Sequence, residues 1–210
     1  MIAQTLTLAE DAAAGGPPPT LPMPTPDCSE EDRPIHEALA RGDGRAAIAA
    51  MARVHGAALG RLCFVLLRSQ AEADEMVQEA LLTAYDAMAS YRAEGSPRAW
   101  VFGIARRLCA KRLEVRTRQA RRRDLARDEA PKDGPDALVE GAHDAQILRD
   151  ALAELRPTER EAVLLRYVSD LSFREVGAAC GIEEAAARQR VGRAVARLRE
   201  RLHDSQPKGR

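Results

Sequence analysis

The sequence predicts an all-α protein made of two small helical domains joined by a flexible linker, the second one a helix-turn-helix. Three observations carry that prediction. Aromatic residues are only 3% of the 210 residues, while large sheets draw on aromatic and β-branched side chains. Ala, Leu, Arg and Glu dominate, and all four favour helix. Apolar residues recur at three- and four-residue steps, and a polar Pro/Gly-containing stretch over 124–143 interrupts that rhythm.

In chain order, residues 1–34 carry Gly15-Gly16-Pro17-Pro18-Pro19 and then Pro22, Pro24, Pro26 and Pro34. Such a segment continues neither helix nor sheet, so a disordered tail is expected. Helical periodicity begins near Ile35. Ile48, Met51, Leu59, Leu62, Val65 and Leu66 mark a helix over about 45–68. Val77, Leu81, Tyr85 and Met88 mark a second over about 72–90, whose acidic start suits the helix dipole. Residues 91–96 read as a loop. Ser96-Pro97 then gives an N-cap and a first-turn proline to a third helix, with Trp100, Ile104 and Leu108 on one stripe and an end near Arg123. The first domain is thus 35–123.

The linker, 124–143, leads to a second domain, 144–203, with a short tail over 204–210. Its first helix covers about 144–155. Thr158-Glu159-Arg160-Glu161 and Ser172-Phe173-Arg174-Glu175 both read as capping boxes opening helices. The second of these helices ends near Cys180, Gly181 supplies a turn, and a last helix runs over about 183–202. Two helices joined by a short Gly-containing turn form a helix-turn-helix.

Charge is zero overall but sharply partitioned. Between Arg98 and Arg123 ten Lys/Arg face one acid, Glu114, a local charge of +9. Between Glu72 and Ser90 there are five acids and no base, and between Ala185 and His203 six Arg and one acid. Two basic blocks in two helical modules point to two contacts with a polyanion. On the last helix, Val191, Val195, Leu198 and Leu202 fall within about a 60° arc at ~100° per residue. Arg190, Arg193, Arg197 and Arg201 fall on the other side within about 80°. Acidic partners four residues before those arginines are nearly absent, so a free guanidinium stripe is expected, suited to phosphate and guanine edges.

Other classes find little support. The four cysteines and four histidines are scattered, without the short spacings of a zinc site. Cys63 and Cys109 sit in apolar patterns and are expected to be buried thiols. No phosphate loop or catalytic constellation is legible, so neither an enzyme nor a cofactor is expected. No apolar run is read as reaching the ~20 residues of a membrane span, and no signal peptide is read. The expectation is a cytoplasmic protein without membrane insertion.

The second module resembles region 4 of the extracytoplasmic-function (ECF) RNA polymerase sigma factors. The resemblance rests on the run from Ala151 to Glu161, on Leu164-Leu165-Arg166-Tyr167-Val168, on the run from Leu171 to Gly177, and on Arg188-Gln189-Arg190-Val191-Gly192-Arg193-Ala194 with Leu198-Arg199. The first module resembles region 2 of the same family through the runs Ala73–Tyr85 and Pro97–Arg106. Arg107 stands where the family commonly has Asn, and Ala185-Ala186-Ala187 replaces its frequent Gly-Thr-Val, so no promoter sequence is carried over.

The resemblance implies a sigma factor that binds core polymerase and directs initiation through the −10 and −35 promoter elements. Asp74, Val77, Gln78 and Glu79 would dock on the clamp helices of the large polymerase subunit. Arg106, Arg107, Lys111, Arg112 and Arg116 would meet promoter DNA from region 2. Arg174, Arg188, Gln189, Arg190, Arg193 and Arg197 would do so from region 4. Trp100 shares a stripe with Ile104 and Leu108, which favours core packing over base stacking. The resemblance further implies an anti-sigma partner. A helix-turn-helix regulator acting without polymerase would share the second half; the acidic helix preceding the basic one favours the sigma factor.

Overall fold

The computed structural model describes residues 30–88, 91, 96–124 and 142–205. Most of 1–34, most of the loop over 91–96, most of the linker over 124–143 and the last five residues lie outside the described residues. The described residues contain helices and turns, with no strand among them. A 3-10 turn at Glu30–Asp32 leads into α1 (Arg33–Ala40), α2 (Gly44–Leu67), α3 (Gln70–Asp86) and α4 (Pro97–Asp124). Then come α5 (Ala142–Glu154), α6 (Pro157–Tyr167), α7 (Phe173–Cys180) and α8 (Glu184–Ser205).

Local chemistry explains most boundaries. The Asp43 side chain accepts from Ala46 N at 2.9 Å and caps α2, and Ser69 does the same for α3. Ser96 Oγ accepts from Ala99 N at 3.2 Å, with Pro97 as the first residue of α4, as its sequence predicts. The box at Ser172 is complete: its hydroxyl takes the Glu175 amide while the Glu175 carboxylate takes the Ser172 amide. The box at Thr158 does not form. Pro157 is already inside α6, so Arg156 occupies the N-cap position and Thr158 lies in the first turn. The Glu161 carboxylate, which that box would need, is taken by Arg106 of α4.

Order also starts earlier than the proline content suggests. Pro34 sits in the first turn of α1, where a proline costs no hydrogen bond. Asp32 is buried, and its carboxylate meets His55 Nε2 of α2 at 2.6 Å. Of the stretch expected to be a disordered tail, 1–34, the residues from Glu30 on are therefore part of the fold.

The core of the first module is α2 against α3 and α4, with Met51, Leu59, Leu62, Leu67, Val101 and Phe102 out of contact with water. Each such side chain contributes roughly 1.5–3 kcal/mol of transfer free energy. Cys63 and Cys109 are buried thiols in this core, as expected. The alanines were not expected there. On α3 the buried positions are Ala73, Met76, Ala80 and Ala84, while Tyr85 and Leu82 stand half or more exposed. Small side chains bring α3 close to α2 and turn the larger apolar residues outward. One sequence reading is corrected here: α2 is long and apolar enough, by length and composition, to cross a membrane. Nine of its residues pack inside the fold, and one of them, His55, is hydrogen-bonded, which is the pattern of a core helix.

α4 is buried nearly all round at its start, from Ala99 through Ala105, because helices pack on it from two sides. α2 and α3 cover one side and α7 covers the other. A Cβ at Gly103 would sit 3.1 Å from the Ala179 carbonyl oxygen, so α4 and α7 meet backbone to backbone.

Candidate nucleic-acid and polymerase interface

The helix-turn-helix is α7, a turn and α8. Gly181 adopts φ 68°, the left-handed conformation a glycine takes at least cost, and Ile182 N donates to Gly177 O at 2.9 Å to close the turn. α8 buries Ala187, Val191, Ala194 and Leu198. That line is rotated from the Val191/Val195/Leu198/Leu202 stripe read from sequence, since two alanines join it and Val195 and Leu202 are only partly covered. The Arg190–Arg201 stripe consequently runs along the flank of α8 and not down its outer meridian.

That rotation decides what each arginine meets. Arg197 reaches Glu159 of α6 at 2.5 Å, where the carboxylate side chain is only 5% exposed. Arg201 pairs with Glu154 of α5. The stripe expected to lack acidic partners is thus half neutralised, by acids from other helices. Arg190 is half-buried and Arg193 exposed, and neither forms an ion pair among the described residues. The outward face of the first turns of α8 is Ala185, Ala186, Gln189, Gly192 and Arg193. Arg188 lies at its edge, paired with Glu184 at 2.9 Å and stacked over the Phe173 ring at 4.5 Å. Arg174 is half-buried near the start of α7.

The basic helix α4 sorts in the same way. Arg106 points into the second module: Nη1 donates to Glu161 at 2.7 Å and Nε to Ala179 O at 3.3 Å. Arg112 pairs with Glu75, and Arg116 donates to Leu67 O and Glu72, so these two tie α4 to the acidic start of α3. Glu75 holds the Arg112 guanidinium more firmly protonated still. Arg107 and Lys111 remain on the solvent face, followed by exposed Arg121 and Arg122. Trp100 packs on the core and against the Tyr91 ring, centroids 4.6 Å apart. Burial pushes the Tyr91 hydroxyl well above its ordinary pKa.

The outer face of α3 keeps Asp74, Gln78 and Glu79 exposed, with Gln70 donating to Asp74 at 2.7 Å and Val77 half-buried beneath them. Sequence reasoning missed that Leu82 and Tyr85 extend this face. With Leu81, Ile48 and Arg45 they line an open groove of about 380 Å³ between α2 and α3. The signal was available: Tyr85 lies one step off the alanine stripe. No cluster of three or more metal-ligating side chains occurs among the described residues.

Comparison with known proteins decides the family. Residues 51–120 match the family described as Sigma-70 region 2, and residues 145–198 match Sigma-70, region 4. The chain is 35% identical over 136 residues to the ECF RNA polymerase sigma factor SigC of Mycobacterium tuberculosis, covering 64% of this chain and 71% of that one. The chain belongs to the ECF sigma factors. It is also 31% identical to SigL of Mycobacterium tuberculosis over 79% of its own length and 97% of SigL. Among solved structures it resembles the sigma factor RpoE of Bartonella quintana, crystallised with the anti-sigma factor NepR. That likeness has a TM-score of 0.54 and 27% identity over 71% of this chain and 92% of that one. In this sigma factor, region 2 is α2–α4 and region 4 is α5–α8. A regulator with only the helix-turn-helix would have no region 2, so that alternative is set aside.

Proposed function

We propose that this sigma factor joins core RNA polymerase through the outer face of α3, on the clamp helices of the large subunit. It then presents α4 to the −10 element and α8 to the −35 element. The observation that carries this assignment is the division of labour on the surface. Among the described residues, the exposed acids of α3 have no basic partner except at its first turns, while cations outside any ion pair gather on α4 and on the first turns of α8. Asp74, Val77, Gln78 and Glu79, with Leu82 and Tyr85, form the polymerase side. Arg107 and Lys111 are the phosphate contacts of region 2; Arg106, Arg112 and Arg116 hold the fold in this state and reach DNA only if those pairs open. Gln189, Arg193 and Arg188 read base edges, with Arg190 and Arg174 at the rim.

The proposal takes 35–123 and 144–203 as the two working units and 124–143 as the connection between them. RNA synthesis itself belongs to the polymerase, so the sigma factor works in the cytoplasm as a specificity subunit and not as an enzyme. It also takes an anti-sigma partner, in keeping with the complex formed by its Bartonella relative. Transcription from a cognate promoter with purified core polymerase tests the assignment. Reversing charge at Asp74 and Glu79 together with Gln78→Ala is expected to weaken association with core in a pull-down while circular dichroism stays unchanged. Association equal to that of the wild type would overturn the α3 assignment.

A further inference from the structure

A single aromatic side chain links the two helices of the helix-turn-helix to the helix before them. Phe173 is the first residue of α7. Its ring is half-buried and packs on the core, so the fold fixes its position. The Arg188 guanidinium of α8 lies over this ring, its carbon 4.5 Å from the centroid, and that of Arg166 of α6 lies 5.4 Å away. Both distances fall inside the ~6 Å range in which a ring face attracts a cation. Arg166 is tied down besides, donating to the Leu171 carbonyl at 3.1 Å and to Asp170 at 3.3 Å. Arg188 has one further partner among the described residues, Glu184 of its own helix at 2.9 Å. That pair is open to water at both ends, with side-chain exposures of 62% and 49%. An exposed pair of this kind holds a long side chain only weakly.

The carboxylate and the ring act on different parts of a guanidinium. A carboxylate occupies the N–H donors, the same edge that a guanine or a phosphate would take. A ring stacks on the flat face and leaves those donors available. Beside a bidentate bond to a base, the ring contact can persist and the carboxylate contact cannot. An arginine also has much rotamer freedom to lose on binding, and a ring that already holds it reduces that loss. We infer that Phe173 is a specificity-determining positioning residue of region 4. Its ring holds the Arg188 guanidinium at the start of α8, so that Arg188 reads one base pair of the −35 element. The inference rests on the assignment of Arg188 to base readout and adds to it a residue that need not touch DNA itself.

Variants of the full-length chain, each assembled with purified core polymerase, test this by selection of active promoters from a pool randomised over the −35 element. Arg188→Ala maps the position that Arg188 reads. Phe173→Met keeps a long apolar side chain on the core and removes the ring. It should relax discrimination at that one position by about two- to fivefold and leave the other positions unchanged. Phe173→Tyr keeps the ring and should keep the wild-type motif. In a chain that already carries Arg188→Ala, Phe173→Met should add nothing. Melting curves recorded beside the selections separate this from a packing role, which would lower the melting temperature and weaken all −35 sequences alike. In the free wild-type chain, the ring current of Phe173 should shift the side-chain proton resonances of Arg188 upfield. Unshifted resonances in the wild type would overturn the contact whether or not any variant folds. If Arg188→Ala relaxes one position and folded Phe173→Met relaxes none, or weakens all alike, the positioning role is overturned while the base assignment stands. If Arg188→Ala relaxes no position, the base assignment falls and the positioning role with it.

Discussion

A methyl group added at Gly177 meets very different surroundings from one added at Gly60. At Gly177 it would lie 2.7 Å from the Ile182 carbonyl oxygen, inside the turn that sets α8 against α7. At Gly60, in the middle of α2, nothing lies within 4 Å. Gly177→Ala is expected to cost about 1–3 kcal/mol, the range for forcing extra atoms into a packed site. Gly60→Ala should gain roughly 0.5–1 kcal/mol of helix stability. Denaturant titrations of the two variants should move in opposite directions. Asp32 carries a second expectation. Burial alone would raise its pKa, but the hydrogen bond and charge of His55, with His36 and Arg98 beyond, hold it below its ordinary value of 3.8. A depressed carboxylate stabilises the fold above its unfolded pKa, and that contribution is lost as pH falls through the folded one. Asp32→Asn should therefore melt lower than the wild type at neutral pH, with the gap closing below about pH 4. A chain starting at Ile35 should show the same deficit relative to one starting at Glu30.

The helices that the sequence predicts were the easy part to read, and their facing was harder. Capping residues, prolines and Gly181 act locally, so the ends of α4, α7 and α8 follow from a few neighbouring residues. Which stripe goes inward is decided by what packs opposite. In an alanine-rich chain that is often a line of small residues, as with Ala73/Ala80/Ala84 on α3 and Ala187/Ala194 on α8. Weighing large apolar residues alone misplaced both faces by part of a turn. Ion pairs were illegible for a related reason: counting acids four residues away sees only pairs within one helix, and Glu159 lies 38 residues from Arg197. The correction changes the expected behaviour of the arginine stripe. Arg197→Ala leaves a buried carboxylate without its donor and should destabilise the protein by about 1–3 kcal/mol, a loss that Glu159→Gln in the same chain largely restores. Arg193→Ala should leave the melting curve unchanged and alter the −35 sequence selected from a randomised pool. If Arg197→Ala were instead neutral for stability and weakened all DNA sequences alike, Arg197 would be a phosphate contact after all.

Covalent geometry limits what the two modules can do together. Asp124 ends α4 and Ala142 begins α5, leaving 17 residues, 125–141, to join them. Whatever conformation they take, they span at most about 3.3–3.6 Å each, so roughly 55–60 Å. Every base pair between the two promoter elements adds ~3.4 Å to the distance that has to be bridged. The modules extend the reach of the connection, and α8 supplies about 33 Å along its axis at ~1.5 Å per residue. The chain can thus bridge two elements only up to about 90 Å apart, at ~3.6 Å per connecting residue and ~1.5 Å per residue of α8. Lengthening the connection costs only slowly increasing loop entropy, about 0.6 kcal/mol per doubling. Shortening it meets a hard geometric wall. Removing ten of these residues leaves a reach of about 25 Å, at ~3.6 Å per residue. The shortened chain should still fold, associate with core through α3 and bind a −35 duplex alone. It should fail to initiate at a promoter whose two elements have their natural spacing, and a pool of promoters with varied spacing should shift toward shorter separations. Inserting ten Gly/Ser residues at the same place should leave initiation within a few-fold of the wild type. Full activity of the shortened chain at unchanged spacing would mean that the modules separate by unwinding part of α4 or α5, and hydrogen exchange along those two helices in the polymerase complex would then reveal which one yields.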